Sequence, residues 1–337
     1  MNGYLATLFA FLLLAPAVAG GKTEQNNNGK AATKLVFGVI APRGADTAVA
    51  NWRPFTEAMS ARLQVPVEIV AAADYKEIVG AFKEGRIDLA WLSNATALEV
   101  VEAGKGAVFA QMITKSGSTG YKSVLIVHQE SKLNSLADVL KPGRGLVFGD
   151  GDSKSTSGHL VPLYYAFVKN RVNDPVSLFK EIRTGNHKTN ALRTATREVD
   201  VATNNNEELQ FFAAEQPDMA AKLRVIWTSP EIPQSPLVWS NTLPLPVKRQ
   251  VRRFVTGYGK SSEAERKVLL QVNELSGFRK SSNRQLITIS DLEMFNERLK
   301  LWNSRTLGDA ERKQQEDLLS QRGSRLEMLL RVEDEQL

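Results

Sequence analysis

The chain has no cysteine among its 337 residues, and it has three histidines. The absence of cysteine excludes disulfide bonds and thiolate metal sites, and so few histidines make a histidine-rich metal site a poor prediction. The net charge is +6, but the basic residues are not gathered into a block with interleaved aromatic residues. We therefore expect no metal, no cofactor and no nucleic-acid partner.

The apolar run near the N-terminus, residues 5–14, is too short to span a bilayer comfortably. Small residues follow at 17–19 in the pattern that precedes a signal-peptide cleavage site. We expect an exported protein with a signal peptide at residues 1–19, in preference to an uncleaved anchor. The polar, asparagine-rich segment 20–32 is expected to form a flexible leader.

From residue 35 onward, apolar runs of strand length alternate with stretches whose apolar residues recur at helical spacing. One of the expected strands covers residues 176–182. This alternation is typical of βαβ units, and it predicts an α/β fold with mostly parallel sheets.

The alternating elements divide into two units, which we call lobe 1 and lobe 2. The sequence predicts lobe 1 at residues 33–118 and lobe 2 at residues 119–239. Segment 240–290 contains a further helix whose apolar face needs a partner, so we expect it to complete lobe 1. Two crossovers, near 120–127 and 235–239, would then act as a hinge. A ligand-binding cleft is expected between the lobes.

The C-terminal segment 291–337 differs from the body of the chain. Acidic and basic residues alternate there, and apolar residues recur at helical spacing. One or two long amphipathic helices are therefore predicted. Their apolar spacing is not a sustained heptad, which favours helices docked on the body over a dimerising coil and leaves the oligomeric state open.

The most informative stretch is residues 150–158, which we call the serine-rich turn. It follows an apolar run at 145–148 and precedes a helical pattern at 159–168. Ser155, Thr156 and Ser157 therefore lie where the first N–H groups of a helix have no partners within the helix. That end of a helix carries partial positive charge and binds anions, so the turn predicts a site for a tetrahedral oxyanion.

Other polar residues also follow the ends of predicted strands. Tyr75, Tyr121, His187 and Glu207 all occupy such positions. Ligands of open α/β sheets bind at strand ends, so these residues are further candidates for the same site. Each alone is more often a packing residue, and it is their distribution over both lobes that points to a ligand.

The order of several motifs resembles the phosphonate, phosphite and phosphate substrate-binding proteins of ABC transporters. The resemblance covers residues 35–278. The segments that carry it include Asp74-Tyr75, Gly120-Tyr121, Ser155-Thr156-Ser157-Gly158, Leu160-Val161-Pro162, Asn190-Ala191-Leu192, Thr203-Asn204-Asn205 and Pro236-Leu237-Val238-Trp239. It implies a type II-like periplasmic binding protein fold with two lobes, two crossover hinge strands and a tetrahedral oxyanion in the cleft. It also implies a periplasmic location and a membrane permease as partner.

The resemblance assigns oxyanion contacts to Ser155, Thr156, Ser157, His187, Tyr75 and Tyr121, with His187 as a switchable donor. It also assigns an acidic ligand-binding role to Glu207. Ser235 occupies the place of an aspartate that is common in the family, which leaves Glu207 without its acidic partner and disfavours strongly aminated ligands. Lys188 follows the histidine where the family often has an acid, and it would add positive charge near the cleft.

Two alternatives remain open. A periplasmic protein that senses the solute and signals to a membrane partner would carry the same binding residues. A hydrolase would pair Ser155 or Ser157 with His187 and an acid. The serines are not in a Gly-x-Ser-x-Gly elbow, and three adjacent hydroxyls suit binding better than one activated nucleophile. We therefore expect no catalytic residues, and the ligand is left as a phosphonate, phosphite or phosphate.

Overall fold

The computed structural model describes residues 34–72, 74–141 and 145–331. The predicted signal peptide at 1–19 and leader at 20–32 lie outside these ranges. Within them, no helix combines the length and hydrophobicity that crossing a membrane requires.

The strands of the described residues form two sheets. They are β1 (Leu35–Ile40), β2 (Val67–Ala72), β3 (Leu89–Trp91), β4 (Gly106–Thr114), β5 (Gly120–His128), β6 (Val147–Asp150), β7 (Glu181–Thr184), β8 (Val201–Asn205), β9 (Leu223–Pro233), β10 (Pro236–Ser240) and β11 (Leu275–Lys280). The first sheet has the order β11-β4-β10-β3-β1-β2, and the second has the order β7-β6-β8-β5-β9. The predicted two-lobe α/β arrangement is thus confirmed.

Helices cover the faces of both sheets. The α-helices are α1 (Ala45–Leu63), α2 (Tyr75–Lys83), α3 (Asn94–Glu102), α4 (Leu136–Val139), α5 (His187–Ala195), α6 (Asn206–Glu215), α7 (Pro217–Ala220), α8 (Leu245–Gly257), α9 (Glu263–Asn273), α10 (Ile287–Asn303) and α11 (Asp309–Arg331). Wider π-helical turns occupy Thr156–Leu160 and Leu163–Phe167, and 3₁₀ turns occupy Val168–Asn170, Pro175–Leu178 and Asn283–Leu286.

The expectation of mostly parallel sheets is wrong. β1 pairs in parallel with β2 and β3, and β6 pairs in parallel with β7 and β8. The strands next to the crossovers are antiparallel to their neighbours: β10 to β3 and β4, and β5 to β8 and β9. Each crossover strand enters its sheet from the other lobe, so it runs against the βαβ strands there.

The crossovers lie a few residues away from their predicted positions. The chain leaves the first sheet after β4 and enters the second at β5, so residues 120–127 are a strand of lobe 2 and not the crossing itself. It returns after β9, and β10 already belongs to the first sheet. The sequence boundary at residue 239 is therefore late. The backbone N–H of Gln234 donates to the carbonyl of Thr119 at 2.8 Å, which holds the two crossovers side by side.

The predicted strand at 176–182 starts too early. Residues Pro175–Leu178 form a 3₁₀ turn, and the strand begins only at Glu181. Proline fixes its own φ near the helical value, and the Ser177 hydroxyl donates to the Asp174 carbonyl at 2.8 Å. Both effects favour a turn over an extended start.

Each lobe contains its own aromatic cluster. In lobe 1, Phe55 of α1 packs against Phe37 of β1 and Tyr258, with ring centroids 6.2 Å and 4.9 Å apart. In lobe 2, Phe148 packs against Phe167 and Phe179 at 5.6 Å and 4.5 Å. Separate packed clusters favour movement of the lobes as rigid bodies about the crossovers.

The two C-terminal helices are docked on the body. Leu326 and Leu330 of α11 are buried in the hydrophobic core of lobe 1. Arg322 of α11 forms a bidentate pair with Glu102 of α3, with both nitrogen–oxygen distances at 2.7 Å. On the other side, Phe295 of α10 packs against Tyr164 of lobe 2, with centroids 5.1 Å apart. Segment 332–337 of the predicted tail lies outside the described residues.

Candidate functional site

One cavity between the lobes is lined by all eight predicted site residues. They are Tyr75, Tyr121, Ser155, Thr156, Ser157, His187, Glu207 and Ser235. The cavity has a volume of about 40 Å³. This space suits a few water molecules or a small solute.

Several helix N-termini point toward this cavity. Tyr75, Thr156 and His187 are the first residues of α2, of the turn Thr156–Leu160 and of α5. Ser93 caps α3, and Asn205 caps α6; both line the cavity. The N-terminal ends of helices carry partial positive charge and unpaired N–H groups, so their convergence favours an anion.

The hydroxyls of the serine-rich turn are positioned as donors. Each oxygen accepts a hydrogen bond: Ser155 from the N–H of Gly158 (3.0 Å), Thr156 from the N–H of Ala95 (2.8 Å) and Ser157 from Nδ2 of Asn205 (3.2 Å). A hydroxyl has one proton to donate and two lone pairs. Accepting a bond orients each hydroxyl and leaves its proton for a further acceptor.

Two glycines allow the serine-rich turn to fold back on itself. The N–H of Gly151 donates to the carbonyl of Gly158 at 3.0 Å. A Cβ on Gly151 would lie 2.6 Å from the carbonyl carbon of Gly158, and a Cβ on Gly158 would lie 2.8 Å from Oγ of Ser155. Neither position accepts a side chain without displacing the capping hydroxyl or the turn.

Tyr75 and Tyr121 stand next to the outer two of these hydroxyls. The side chain of Tyr75 interacts with that of Ser155, and the side chain of Tyr121 interacts with that of Ser157. Burial raises the pKa of both phenols well above the usual value. Both tyrosines therefore stay protonated and remain available as neutral donors.

His187 is buried and neutral. Burial lowers the pKa of its imidazole to about 4. The Asn205 amide nitrogen lies 3.3 Å from Nε2 of His187, and the Asn205 Oδ1 is held by the N–H groups of Glu207 (3.0 Å) and Glu208 (2.8 Å). The amide therefore donates toward Nε2. A neutral imidazole whose Nε2 accepts can donate only through Nδ1, so the role of His187 as a switchable donor stays a prediction.

The lining of the cavity also includes acidic residues. Burial raises the pKa of Glu207 to about 7, although Gln234 donates a hydrogen bond to its Oε1. Ser235 lines the same cavity, and so does Glu208, which the sequence reasoning missed. Near neutral pH, both the ionised and the protonated form of Glu207 are therefore populated.

Glu208 is compensated by a cation from the other lobe. Its side chain is 10% exposed, and Nε of Arg43 lies 3.5 Å from its Oε2. The pair meets the distance for an ion pair, but its geometry is not that of a hydrogen bond. Burial raises the pKa of Glu208, and Arg43 opposes that rise. Arg43 thus gives Glu208 a cationic partner, whereas Glu207 has none among the described residues.

Further contacts hold the two lobes together. The Arg43 guanidinium lies 3.9 Å from the ring centroid of Phe211 in lobe 2. The Ser93 hydroxyl donates to the carbonyl of Lys154 at 3.0 Å, and Lys154 forms an ion pair with Glu99. The lobes are therefore closed around the cavity.

The positive charge of Lys188, expected near the cleft, is paired with an acidic residue. Its Nζ lies 2.7 Å from Oε2 of Glu215, and the residue does not line the cavity. Asn205 was also not predicted as a site residue. Its role as an N-cap could have been predicted, because asparagine is preferred at the start of a helix and two acidic residues follow at positions 207 and 208. No local feature of the sequence indicated that Glu208 lines the cavity together with its neighbour Glu207.

The sequence of the chain is similar to those of known proteins. The family described as "ABC transporter, phosphonate, periplasmic substrate-binding protein" matches residues 37–286. The chain is 41% identical over 263 residues to the phosphonates-binding periplasmic protein of Escherichia coli strain K12, covering 78% of this chain and 77% of that protein.

Solved structures agree with the fold. A binding protein component of an ABC phosphonate transporter from Pseudomonas aeruginosa superposes with a TM-score of 0.80 at 39% identity, covering 87% of this chain and 96% of that one. A Prochlorococcus marinus protein in complex with methylphosphonate superposes with a TM-score of 0.70 at 20% identity, covering 78% and 99%. At that identity the second likeness concerns the fold alone.

Proposed function

Since the chain belongs to the family of periplasmic phosphonate-binding proteins of ABC transporters, we propose that its cavity closes on a small phosphonate or phosphite. The observation that carries this proposal is the serine-rich turn. Its three hydroxyls each accept a bond from a neighbour and retain a proton for the ligand, at the N-terminus of a helical segment. Ser155, Thr156 and Ser157 would hold the oxyanion.

The remaining predicted site residues take distinct roles in this proposal. Tyr75 and Tyr121 would donate to the oxyanion from either side of the turn. His187 would contact it as a neutral ring. Glu207 and Ser235 would face the substituent, at the end of the cavity where the net charge depends on Glu207. The small volume favours a substituent of a few atoms.

Binding without hydrolysis is part of the proposal. Oγ of Ser157 lies 3.4 Å from Nε2 of His187, the atom that a general base would use. The Asn205 amide donates toward the same nitrogen at 3.3 Å and competes for its lone pair. The low pKa of His187 also makes it a weak base.

Export and delivery complete the proposal. A signal peptide at 1–19 would direct the chain to the periplasm, and the closed, loaded form would dock on a membrane permease. Closure matters for this step because it presents both lobes in one fixed arrangement.

Small-angle scattering tests the proposed closure. We expect the radius of gyration of the mature chain to decrease when methylphosphonate or phosphite is added, because the ligand bonds to both lobes. An identical profile with and without saturating ligand, for every phosphonate and phosphite tried, would contradict binding by closure.

Ser235→Asp should change ligand preference. The substitution adds a carboxylate beside Glu207, and an ammonium buried in a closed cleft needs neutralising partners. We expect the affinity for aminoethylphosphonate, relative to methylphosphonate, to rise about tenfold, as a gain of about 1.4 kcal/mol would give. Titration calorimetry with both ligands measures this ratio.

The natural chain should prefer methylphosphonate or phosphite over the aminated ligand. Ser235→Asn is the control, since it has the size of aspartate without the charge, and it should leave the ratio near that of the natural chain. A natural chain that binds aminoethylphosphonate most tightly would show that this interpretation of Ser235 is wrong.

A further inference from the structure

Two tryptophans carry buried indole N–H groups that have no hydrogen-bond partner among the described residues. They are Trp91, which is 5% exposed, and Trp239, which is 1% exposed. Buried donors in folded proteins nearly always find an acceptor, because an unpaired donor loses its bonds to water without replacement. Each exception therefore needs an explanation.

The position of Trp91 offers one. It is the last residue of β3, and it lines the same cavity as Tyr75 and the serine-rich turn. Its ring packs against Trp52, with centroids 5.4 Å apart, and β3 lies between β1 and β10 inside the first sheet. Trp91 therefore lines the cavity while its ring packs on Trp52, and this packing restricts reorientation of the ring.

Trp239 serves as the comparison residue. It is also buried in the first sheet, on β10, and it stacks on Phe109 at 4.4 Å with the planes 4° apart. It does not line the cavity. Both residues are tryptophans of the first sheet with an unpaired indole N–H group. Only Trp91 of the two lines the cavity.

We propose that the indole N–H of Trp91 donates a hydrogen bond to the bound ligand. This inference rests on the proposed function. The hydroxyls of the serine-rich turn and His187 belong to lobe 2, whereas Trp91 belongs to lobe 1. A ligand bonded to both groups is bound better in the closed form than in the open form, and it therefore shifts the population toward closure.

The chemistry of the indole also restricts what the ligand presents to it. Indole Nε1 is a donor only, whereas a hydroxyl or a neutral imidazole can also accept. An ammonium or a methyl group facing Trp91 would leave the N–H group unpaired. The ligand group at this wall is therefore an acceptor, such as an oxyanion oxygen of the phosphonate.

Two matched substitutions test the inference. Trp91→Phe removes the N–H group and keeps an aromatic ring, and Trp239→Phe makes the same change away from the cavity. We expect Trp91→Phe to weaken methylphosphonate or phosphite binding about ten- to a hundredfold, the range for a bond to a charged group. Trp239→Phe should change the affinity less than about twofold, because truncation of a remote ring alters packing but no ligand contact.

Indole NMR gives a second measurement on the natural chain. Its five tryptophans give five indole N–H signals, and the two substitutions assign those of Trp91 and Trp239. Saturating methylphosphonate should shift the Trp91 proton downfield, as a new hydrogen bond does, and leave the Trp239 signal in place.

The outcomes separate this inference from the proposed function. If the natural chain binds the ligand but Trp91→Phe binds equally well, or if the Trp91 signal does not move, the inference is overturned and the proposed function stands. If the natural chain binds no phosphonate or phosphite, the proposed function is overturned, and the inference with it.

Discussion

Replacing Thr156 with alanine should weaken ligand binding about ten- to a hundredfold and leave the fold intact. The Thr156 hydroxyl has two roles in the closed cleft. It would donate to the oxyanion, and it accepts the N–H of Ala95 from the opposite lobe at 2.8 Å. A hydrogen bond to a charged group contributes roughly 1.5–3 kcal/mol, and the lost contact between the lobes moves the effect toward the upper end of that range.

Thr56→Ala is the matched control for this experiment. Thr56 is also buried, and its hydroxyl bonds to the carbonyl of Arg53 within α1, away from the cavity. We expect it to alter thermal stability but not affinity. Calorimetry of both variants with the same ligand decides the question, and equal affinities for Thr156→Ala and the natural chain would contradict the assigned role of the serine-rich turn.

Affinity for an aminated phosphonate should fall steeply as the pH decreases below 7. Burial raises the pKa of Glu207 to about 7, above its ordinary value of 4.5. The carboxylate therefore becomes neutral as the pH falls through this value, and it stops compensating a ligand ammonium. If only the ionised form binds the amine, the affinity decreases by about tenfold for each pH unit below the pKa.

Methylphosphonate corrects this experiment for titration of the ligand itself. Both ligands carry a phosphonate group that gains a proton in the same range, so the ratio of their affinities isolates Glu207. The ratio of aminoethylphosphonate to methylphosphonate affinity should drop between pH 8 and pH 5, and Glu207→Gln should make it constant. A ratio that does not change with pH in the natural chain would rule out ionised Glu207 as the partner of the amine.

The sequence predicted the fold through its periodicity. Alternating strand and helix patterns identified the two lobes, and the C-terminal helices followed from apolar residues at helical spacing. The parallel arrangement and the crossover boundaries were predicted incorrectly, because periodicity reports the burial of a strand and not its direction. β10 illustrates this, since its residues are all buried whichever sheet they join.

The candidate site could be predicted from the sequence to the extent that its residues follow strand ends. Chain order placed the hydroxyls of the serine-rich turn at a helix N-terminus, and the resemblance added Ser235. The contributions of Arg43, Trp91 and Glu208 depend on packing between lobes, which no local pattern encodes. The pKa values could not be predicted from the sequence either. Burial keeps His187 neutral and raises the pKa of Glu207, and this burial results from the packing of the two lobes against each other.

Titration calorimetry of the chain without its predicted signal peptide tests the central claim most directly. The ligands are phosphate, phosphite, methylphosphonate and aminoethylphosphonate. Sulfate is the comparison ligand, because it is a tetrahedral anion that differs from the others in its protonation. We predict saturable binding of one ligand per chain, with a phosphonate or phosphite bound most tightly and sulfate bound weakly. The absence of saturable binding to every phosphorus-containing ligand, or sulfate bound as tightly as the best of them, would contradict the account.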